Sequence, residues 1–384
     1  MTFTQSNRLA PYRAALQALD DDGRLRRLVP RAGIDFVSND YLALANAPRL
    51  RDAVTAALEA GTPIGSGGSR SLRGNCAEHQ SLESYAAEFF GADAALFFAA
   101  GYVANFAVLT TLPQRGDLLA LDTLVHASIH EGARAGRADY RDGGHNDAQA
   151  MENTIKAWRA EGGTGRVWIV VESLYSMDGD FAPLAELIAL ADRHDAFLIV
   201  DEAHATGIYG PQGRGLTAPF EGRENLIVVH TCGKALGAAG ALVTMTQVLR
   251  DFMVNRCRPF IFSTAPSPLV ALAVREALML LRDEPERPQR LLDLIQFTHR
   301  EFEARGGQRL SNSQILPYIV GDNVRAMTLA AAMQARGFDI RGIRPPTVPA
   351  GTARLRISLT LNVGEAEVLA MLDALDEETK GAAR

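Results

Sequence analysis

The sequence predicts an α/β protein: a large domain with a mostly parallel central sheet covered by helices, followed by a smaller α+β C-terminal domain. Three observations carry that prediction. Between residues 94 and 245, short apolar runs alternate with stretches of helical periodicity, the pattern of strands buried on both faces. Four of those runs stop at Asp122, Glu172, Asp201 and His230, which places polar groups at the C-terminal edge of the sheet, where α/β folds gather ligands. At Asp283-Glu284-Pro285-Glu286-Arg287-Pro288 the alternation breaks, and a different mix of elements follows. A chain of 384 residues, 47% apolar and 22% charged, has ample material for a large core beside a smaller one.

In chain order, residues 9–28 carry a helical pattern interrupted near Gly23, with arginines at 24, 26 and 27. Residues 34–37 read as a short strand leading into Ser38-Asn39-Asp40-Tyr41. Residues 48–60 read as a helix ended by Gly61, and 64–70 as a flexible glycine-rich loop. Apolar residues recur at helical spacing over 76–90, and Gly91 supplies the stop. A strand at 94–98 precedes a helix over 101–111, and apolar runs at 118–122 and 167–172 end in acids. A helix over 183–194 leads to strands at 196–201, 226–230 and 240–245, then to a long helix over 268–283. Beyond the break, helices over 288–304, 324–336 and 364–376 accompany strands near 315–320 and 354–359. The expected divisions are an N-terminal segment 1–45, a large cofactor-binding domain 46–275 and a small C-terminal domain 276–384.

Several function classes are disfavoured. A net charge of −6 lacks the basic footprint of a nucleic-acid binder. No run reaches 18 apolar residues, so no membrane partner is expected. Cys76, Cys232 and Cys257 are odd in number and widely spaced, which argues against a disulfide framework and for a reducing compartment. Met1-Thr2-Phe3-Thr4-Gln5-Ser6-Asn7-Arg8 has no apolar export core, and a cytoplasmic setting is expected. No metal site is expected.

The chemistry begins with lysine scarcity. Only three of the 39 basic residues are lysines, and one, Lys234, sits in Thr231-Cys232-Gly233-Lys234-Ala235-Leu236-Gly237. A lysine kept among small and apolar neighbours is kept for its amine. Arginine cannot form a Schiff base, because its guanidinium stays protonated. Upstream, Phe197-Leu198-Ile199-Val200 ends in Asp201-Glu202-Ala203-His204. An acid there can hold a proton on a pyridine nitrogen and make the ring an electron sink, and His204 can donate to a phenolic oxygen. This combination points to pyridoxal phosphate. His126, after the Asp122 strand end, can lie flat against such a ring and reach a substrate group. Gly101-Tyr102 opens a helix whose free N–H groups suit a phosphate, and Thr231 can add a hydroxyl. In Arg354-Leu355-Arg356-Ile357-Ser358 an arginine inside a strand can grip a carboxylate with two hydrogen bonds, with help from Asn39.

Taken together, Asn39-Asp40-Tyr41-Leu42, Gly65-Ser66-Gly67-Gly68-Ser69-Arg70, Ser176-Met177-Asp178-Gly179-Asp180, Asp201-Glu202-Ala203-His204-Ala205-Thr206-Gly207 and the Lys234 run closely resemble the α-oxoamine synthases, fold-type I pyridoxal phosphate enzymes. The resemblance covers nearly the whole chain. It implies that Lys234 carries the cofactor as an imine, that Asp201 pairs with the ring nitrogen and that His126 stacks on the ring. It implies that His204 and Ser176 contact the cofactor and that Gly101, Tyr102 and Thr231 serve its phosphate. Asn39 and Arg356 would hold the amino-acid carboxylate. Thr347 and an N-terminal arginine would contact substrate; the run Leu25-Arg26-Arg27 points to Arg26, with Arg24 and Arg27 as alternatives. The family is dimeric, so Ser263 and Thr264 would reach the cofactor phosphate of a homodimer partner.

Within the family, the run from Gly342 to Arg356 is most similar to members that condense L-alanine with pimeloyl-CoA or pimeloyl-carrier protein, with loss of carbon dioxide and through a quinonoid form of the cofactor. Other branches remain open: 5-aminolevulinate synthase, 2-amino-3-ketobutyrate CoA ligase and serine palmitoyltransferase share the cofactor motifs. A cofactor-free subunit is disfavoured by the retention of Lys234, Asp201 and His126. Asp201-Glu202-Ala203-His204 also spells a DEAH-type NTPase box, but that reading needs a phosphate loop. Lys234 is followed by Ala235 and position 228 is valine, so the loop motif fails. Gly65, Gly67 and Gly68 likewise do not complete a dinucleotide-binding fingerprint.

Overall fold

The structure, a computed structural model, describes residues 7–381. Residues 1–6, on which most of the reading of the N-terminus rests, lie outside the described residues. Helix α1 (Ala10–Asp21) ends at the break expected near Gly23 and does not resume toward residue 28. The reason is local. Asp20, Asp21 and Asp22 crowd the negative end of the helix dipole, and Gly23 takes a left-handed turn at φ 63°. The arginines at 24, 26 and 27 therefore lie on irregular chain. Strand β1 (Ile34–Asp35) is also shorter than expected, because the Asp35 side chain accepts the Val37 and Ser38 N–H groups at 3.0 and 2.8 Å. Helices α2 (Pro48–Glu59) and α3 (Ala77–Phe90) follow, and Gly91 ends α3 at φ 82°.

The large domain is built on seven strands. They are β2 (Ala94–Phe98), β3 (Leu118–Leu121), β4 (Asp139–Asp142), β5 (Val167–Glu172), β6 (Phe197–Asp201), β7 (Leu226–Thr231) and β8 (Ala241–Met245). Their order across the sheet is β2-β8-β7-β6-β5-β3-β4. Strand β8 runs antiparallel to both neighbours, and the other pairings are parallel. The mostly parallel sheet read from the sequence is thus observed. Strands β2, β3, β5 and β8 are buried at every position, because helices cover both faces. The coverage comes from α4 (Gly101–Thr111), α5 (Ala127–Ala135), α6 (Ala148–Ala160), α7 (Leu184–Arg193), α8 (Gln247–Arg256) and α9 (Arg258–Ile261). One apolar cluster packs Val108, Ile129 and Phe260 on Leu119, Ile199 and Val229; another packs Ile155, Trp158 and Leu187 on Ile169, Val200 and Val228.

Helix α10 (Pro268–Asp283) occupies the expected span, and α11 (Glu286–Ala304) begins the smaller, β-rich C-terminal domain. Its core sheet is β11-β12-β9, with β9 (Ile315–Gly321), β11 (Arg341–Ile343) and β12 (Ala353–Ser358) antiparallel. Helix α12 (Asn323–Ala335) packs on it, and α13 (Glu365–Gly381) packs against α11 and α12. Strand β10 (Phe338–Asp339) pairs in parallel with β1, which ties the N-terminal segment to this domain. A single apolar cluster runs from Phe36, Tyr41 and Leu42 through Leu82 and Leu278 to Leu355 and Met371. Among the described residues, no helix is long and apolar enough to cross a membrane.

Three of the four residues expected at the C-terminal sheet edge project there. Asp122 follows β3, while Glu172 and Asp201 end adjacent strands and face each other in register. His230 does not join them. It lies one residue inside β7, so strand alternation turns its ring from the face that Thr231 serves. The ring is fully buried, stacked on Phe90 at 3.6 Å and hydrogen-bonded to Thr206 at 2.8 Å.

Candidate active site

The turn between β7 and β8 presents Lys234. Cys232 N–H donates to Gly240 O at 2.9 Å and Ala238 N–H to Cys232 O at 3.1 Å, which draws residues 232–240 into a compact bend. Gly237 closes it at φ 63°, where a Cβ would run into the backbone of Leu44 and Ala45. The Lys234 amine lies 2.7 Å from His204 Nε2. Burial lowers its pKa from 10.5 to about 8, against the opposing pull of the Asp201 and Glu172 charges, and Arg356 lowers it further.

Asp201 is buried, and each of its oxygens accepts a hydrogen bond. One oxygen accepts the Ala203 N–H at 2.8 Å, and the other accepts Asn105 Nδ2 at 2.6 Å. The Asn105 amide, on α4, also donates to Ser128 Oγ at 3.0 Å. His126 Nδ1 accepts the Ser128 N–H at 3.2 Å and so bears no proton, which makes the Ser128 hydroxyl the donor in its 2.8 Å contact with that nitrogen. A neutral His126 thus carries its proton on Nε2. His126 caps α5 and meets the Tyr102 ring edge-on at 6.4 Å. Enclosure of its inner edge lowers its pKa, partly countered by Asp201 and reinforced by Lys234. Glu172 is buried beside Asp201, and its Oε1 has no hydrogen-bond partner among the described residues. Burial first, then the Asp201 charge, raise its pKa well above the usual range.

The small domain closes the site with Arg356. Alternation in β12 sends Leu355 and Ile357 to the core and Arg354, Arg356 and Ser358 to the opposite face. Arg356 donates to Ser176 O at 2.6 Å, Ser358 Oγ at 2.7 Å and Asn39 Oδ1 at 3.2 Å. Two of its five N–H groups remain, and it has no carboxylate partner among the described residues. The neighbouring Arg354 is instead the structural arginine, paired with Asp178 at 2.6 Å.

The remaining expected residues fall into four groups. Gly101 and Thr231 meet at the start of α4: a Cβ at 101 would lie 2.5 Å from Thr231 Oγ1. Ser176 borders the site through the carbonyl that holds Arg356. Arg24, Arg26 and Thr347 line a cavity of about 260 Å³ together with Arg344, whereas Arg27 is not among its lining residues. Ser263 and Thr264 are exposed on the segment between α9 and α10 and form no hydrogen bond with the Lys234 set among the described residues.

Sequence reasoning missed Asn105, Ser128 and Tyr41, which are wired into the site from a helix interior, a helix start and the N-terminal segment. It also missed His145. That ring bridges Asp122 at 2.9 Å and Asp180 at 2.8 Å, fastening the loop after β3 to the loop after β5. Burial opposes its protonation, but the hydrogen bonds its ring donates to the two carboxylates prevail and raise its pKa from 6.5 to about 10.

The donor set suits pyridoxal phosphate: a pKa-depressed amine for an aldehyde, a buried carboxylate for a ring nitrogen, and an imidazole with a free face. A glycine-opened helix end beside a threonine hydroxyl suits a phosphate.

Comparisons with known proteins agree. The family described as aminotransferase class I and II matches residues 31–375. An 8-amino-7-oxononanoate synthase of Chromobacterium violaceum is 40% identical over 386 residues, covering 96% of this chain and 98% of the relative. Another, from Burkholderia pseudomallei, is 43% identical over 339 residues, covering 86% and 84%. Among solved structures, serine palmitoyltransferase from S. paucimobilis with a bound PLP–myriocin aldimine superposes with a TM-score of 0.89 at 28% identity, over 99% of both chains. An 8-amino-7-oxononanoate synthase from Francisella tularensis gives 0.77 at 28% identity, over 92% of this chain and 99% of that one.

Proposed function

The chain belongs to the pyridoxal phosphate-dependent α-oxoamine synthases, and on that premise we propose that it acts as an 8-amino-7-oxononanoate synthase of biotin biosynthesis. The reaction is a decarboxylative condensation of L-alanine with the pimeloyl thioester of CoA or of a carrier protein. The observation that carries the chemistry is the depressed amine of Lys234 beside Asp201, His126 and His204. The substrate pair is supported by the relatives of that name.

Pyridoxal phosphate, when bound, supplies an aldehyde that takes up an amine and a ring that accepts an electron pair. Lys234 would hold that aldehyde, and Gly101, Tyr102 and Thr231 its phosphate. Lys234 Nζ, with a pKa of about 8, is partly unprotonated near neutral pH and can take the α-proton of the amino acid and later return one. Asp201 would keep a proton on the ring nitrogen, and Asn105 fixes the orientation of its carboxylate. Arg356 and Asn39 would orient the amino-acid carboxylate, and His126 would stack on the ring. Arg26 and Thr347 contact the acyl substrate. Two copies complete each site as a homodimer, with the partner's Ser263 and the partner's Thr264 at the phosphate.

The test is turnover of the purified protein with pyridoxal phosphate, pairing alanine, glycine and serine with pimeloyl, succinyl, acetyl and palmitoyl thioesters. Alanine with a pimeloyl thioester should give the highest kcat/KM for thiol release. A preference for glycine or serine with another acyl group would assign the chain to a different branch.

A further inference from the structure

The hydrogen bonds around Asn39 determine where a proton sits on His204, two contacts further on. Arg356 Nη2 can only donate, so the Asn39 atom 3.2 Å from it is the amide oxygen. The same oxygen lies 2.9 Å from Tyr41 Oη, so the phenol donates to it. A phenol has one proton. Tyr41 Oη is therefore the acceptor in its 2.7 Å contact with His204 Nδ1, and that nitrogen bears hydrogen. Tyr41 is fully buried, and burial raises its pKa, so it stays a phenol. Burial and the charges of Lys234, Arg356 and His126 keep His204 neutral. Its Nε2 then presents a lone pair to Lys234 Nζ, 2.7 Å away.

We propose that Tyr41 is a positioning residue that acts through His204, fixing the Nδ1–H tautomer so that the ring offers Lys234 an acceptor. This polarity is opposite to the donation expected of His204 from the sequence. It favours the ammonium form of Lys234 and limits how far the site depresses the amine. The other charged groups acting on that amine are Asp201, Glu172 and Arg356; of these Tyr41 interacts with Arg356, whose charge is present in parent and variant alike. The functional meaning of the device rests on Lys234 being the cofactor-bearing amine. The tautomer does not, so the two ideas fail separately.

Lysine scarcity makes the test direct. Full-length cofactor-free protein labelled at lysine Cε gives signals from three lysines, and Lys234 is assigned by its loss in Lys234→Ala. The Lys234 midpoint is expected near pH 8 in the unaltered protein. In Tyr41→Phe the ring is free to carry its proton on Nε2, and the midpoint should fall by about one pH unit. Tyr209→Phe is the control. Its hydroxyl bonds to Gln314 at 3.1 Å and not to the imidazole, so its midpoint should stay put. An unchanged or raised midpoint in Tyr41→Phe overturns the proposal. Nitrogen-15 spectra of His204 in the unaltered protein need no variant: hydrogen on Nδ1 supports the assignment, and hydrogen on Nε2 overturns it. Adding pyridoxal phosphate to the same sample tests the cofactor reading separately, by attachment at Lys234.

Discussion

Lys234→Met exchanges a charged side chain for a neutral one of similar reach at the point where burial opposes the charge. The displacement of the amine from 10.5 to about 8 makes the folded chain bind its proton less tightly than the unfolded chain. At about 1.4 kcal/mol per pH unit this costs the folded state up to about 3 kcal/mol. Losing the contact with His204 returns about 1 kcal/mol, so the variant should be more stable than the parent by about 2 kcal/mol at pH 7. The pH dependence follows from the sign. The stabilising contribution of a depressed lysine is present above pH 10.5, where it is neutral in both states, and is lost as pH falls through about 8. The advantage of the variant should therefore be full below pH 8 and gone above 10.5. Calorimetry of the two cofactor-free proteins should show a Tm higher by roughly 2–4 °C in the variant at pH 7 and no advantage at pH 10.5. A lower Tm for the variant at pH 7, or an advantage that persists at pH 10.5, would refute the assignment of Lys234 as a depressed, poised amine.

Three further outcomes follow from individual contacts. Asp201→Asn should still bind cofactor but slow deuterium exchange at the α-carbon of alanine by about 10²–10⁴-fold; an unchanged exchange rate contradicts the electron-sink role. His145→Gln should destabilise the protein by on the order of 2 kcal/mol near pH 6, since a raised histidine stabilises fully below pH 6.5 and stops doing so as pH passes about 10. Denaturant melts should therefore show the gap between variant and parent closing over that window. Glu83→Ala strands the buried guanidinium of Arg70, which Glu83 holds by two 2.8 Å hydrogen bonds, and should cost about 3–5 kcal/mol in the same measurement.

The fold was most legible where burial writes a continuous apolar run. Val167-Trp168-Ile169-Val170-Val171-Glu172 could be read as a central strand because both of its faces are covered. Strand β4 could not, since Asp139-Tyr140-Arg141-Asp142 is a polar edge strand paired on one side only. Helix α6 left a signal that was passed over: Asp147 caps it, and Met151, Ile155 and Trp158 repeat at helical spacing on the buried face. In the site, Lys234 stood out by scarcity and Arg356 by its place between two apolar strand positions. Asn105 left no local trace, because a lone asparagine inside an apolar helix acquires its role only when the fold sets it against Asp201, 96 residues away. Tyr41 and His204 are 163 residues apart and meet for the same reason. The glycine-rich run at 64–70 reads as loose, yet it ends in Arg70, which is buried and clamped by Glu83 and Asn75.

The central claim is that one amine among three lysines bears the cofactor. Borohydride reduction of the protein with pyridoxal phosphate, followed by peptide mass spectrometry, tests it most directly. The expected result is one equivalent of pyridoxyl group on Lys234, with Lys156 and Lys380 unmodified and the label absent from Lys234→Met. A label on either of the other two lysines with Lys234 untouched, or labelling undiminished in the variant, would contradict it.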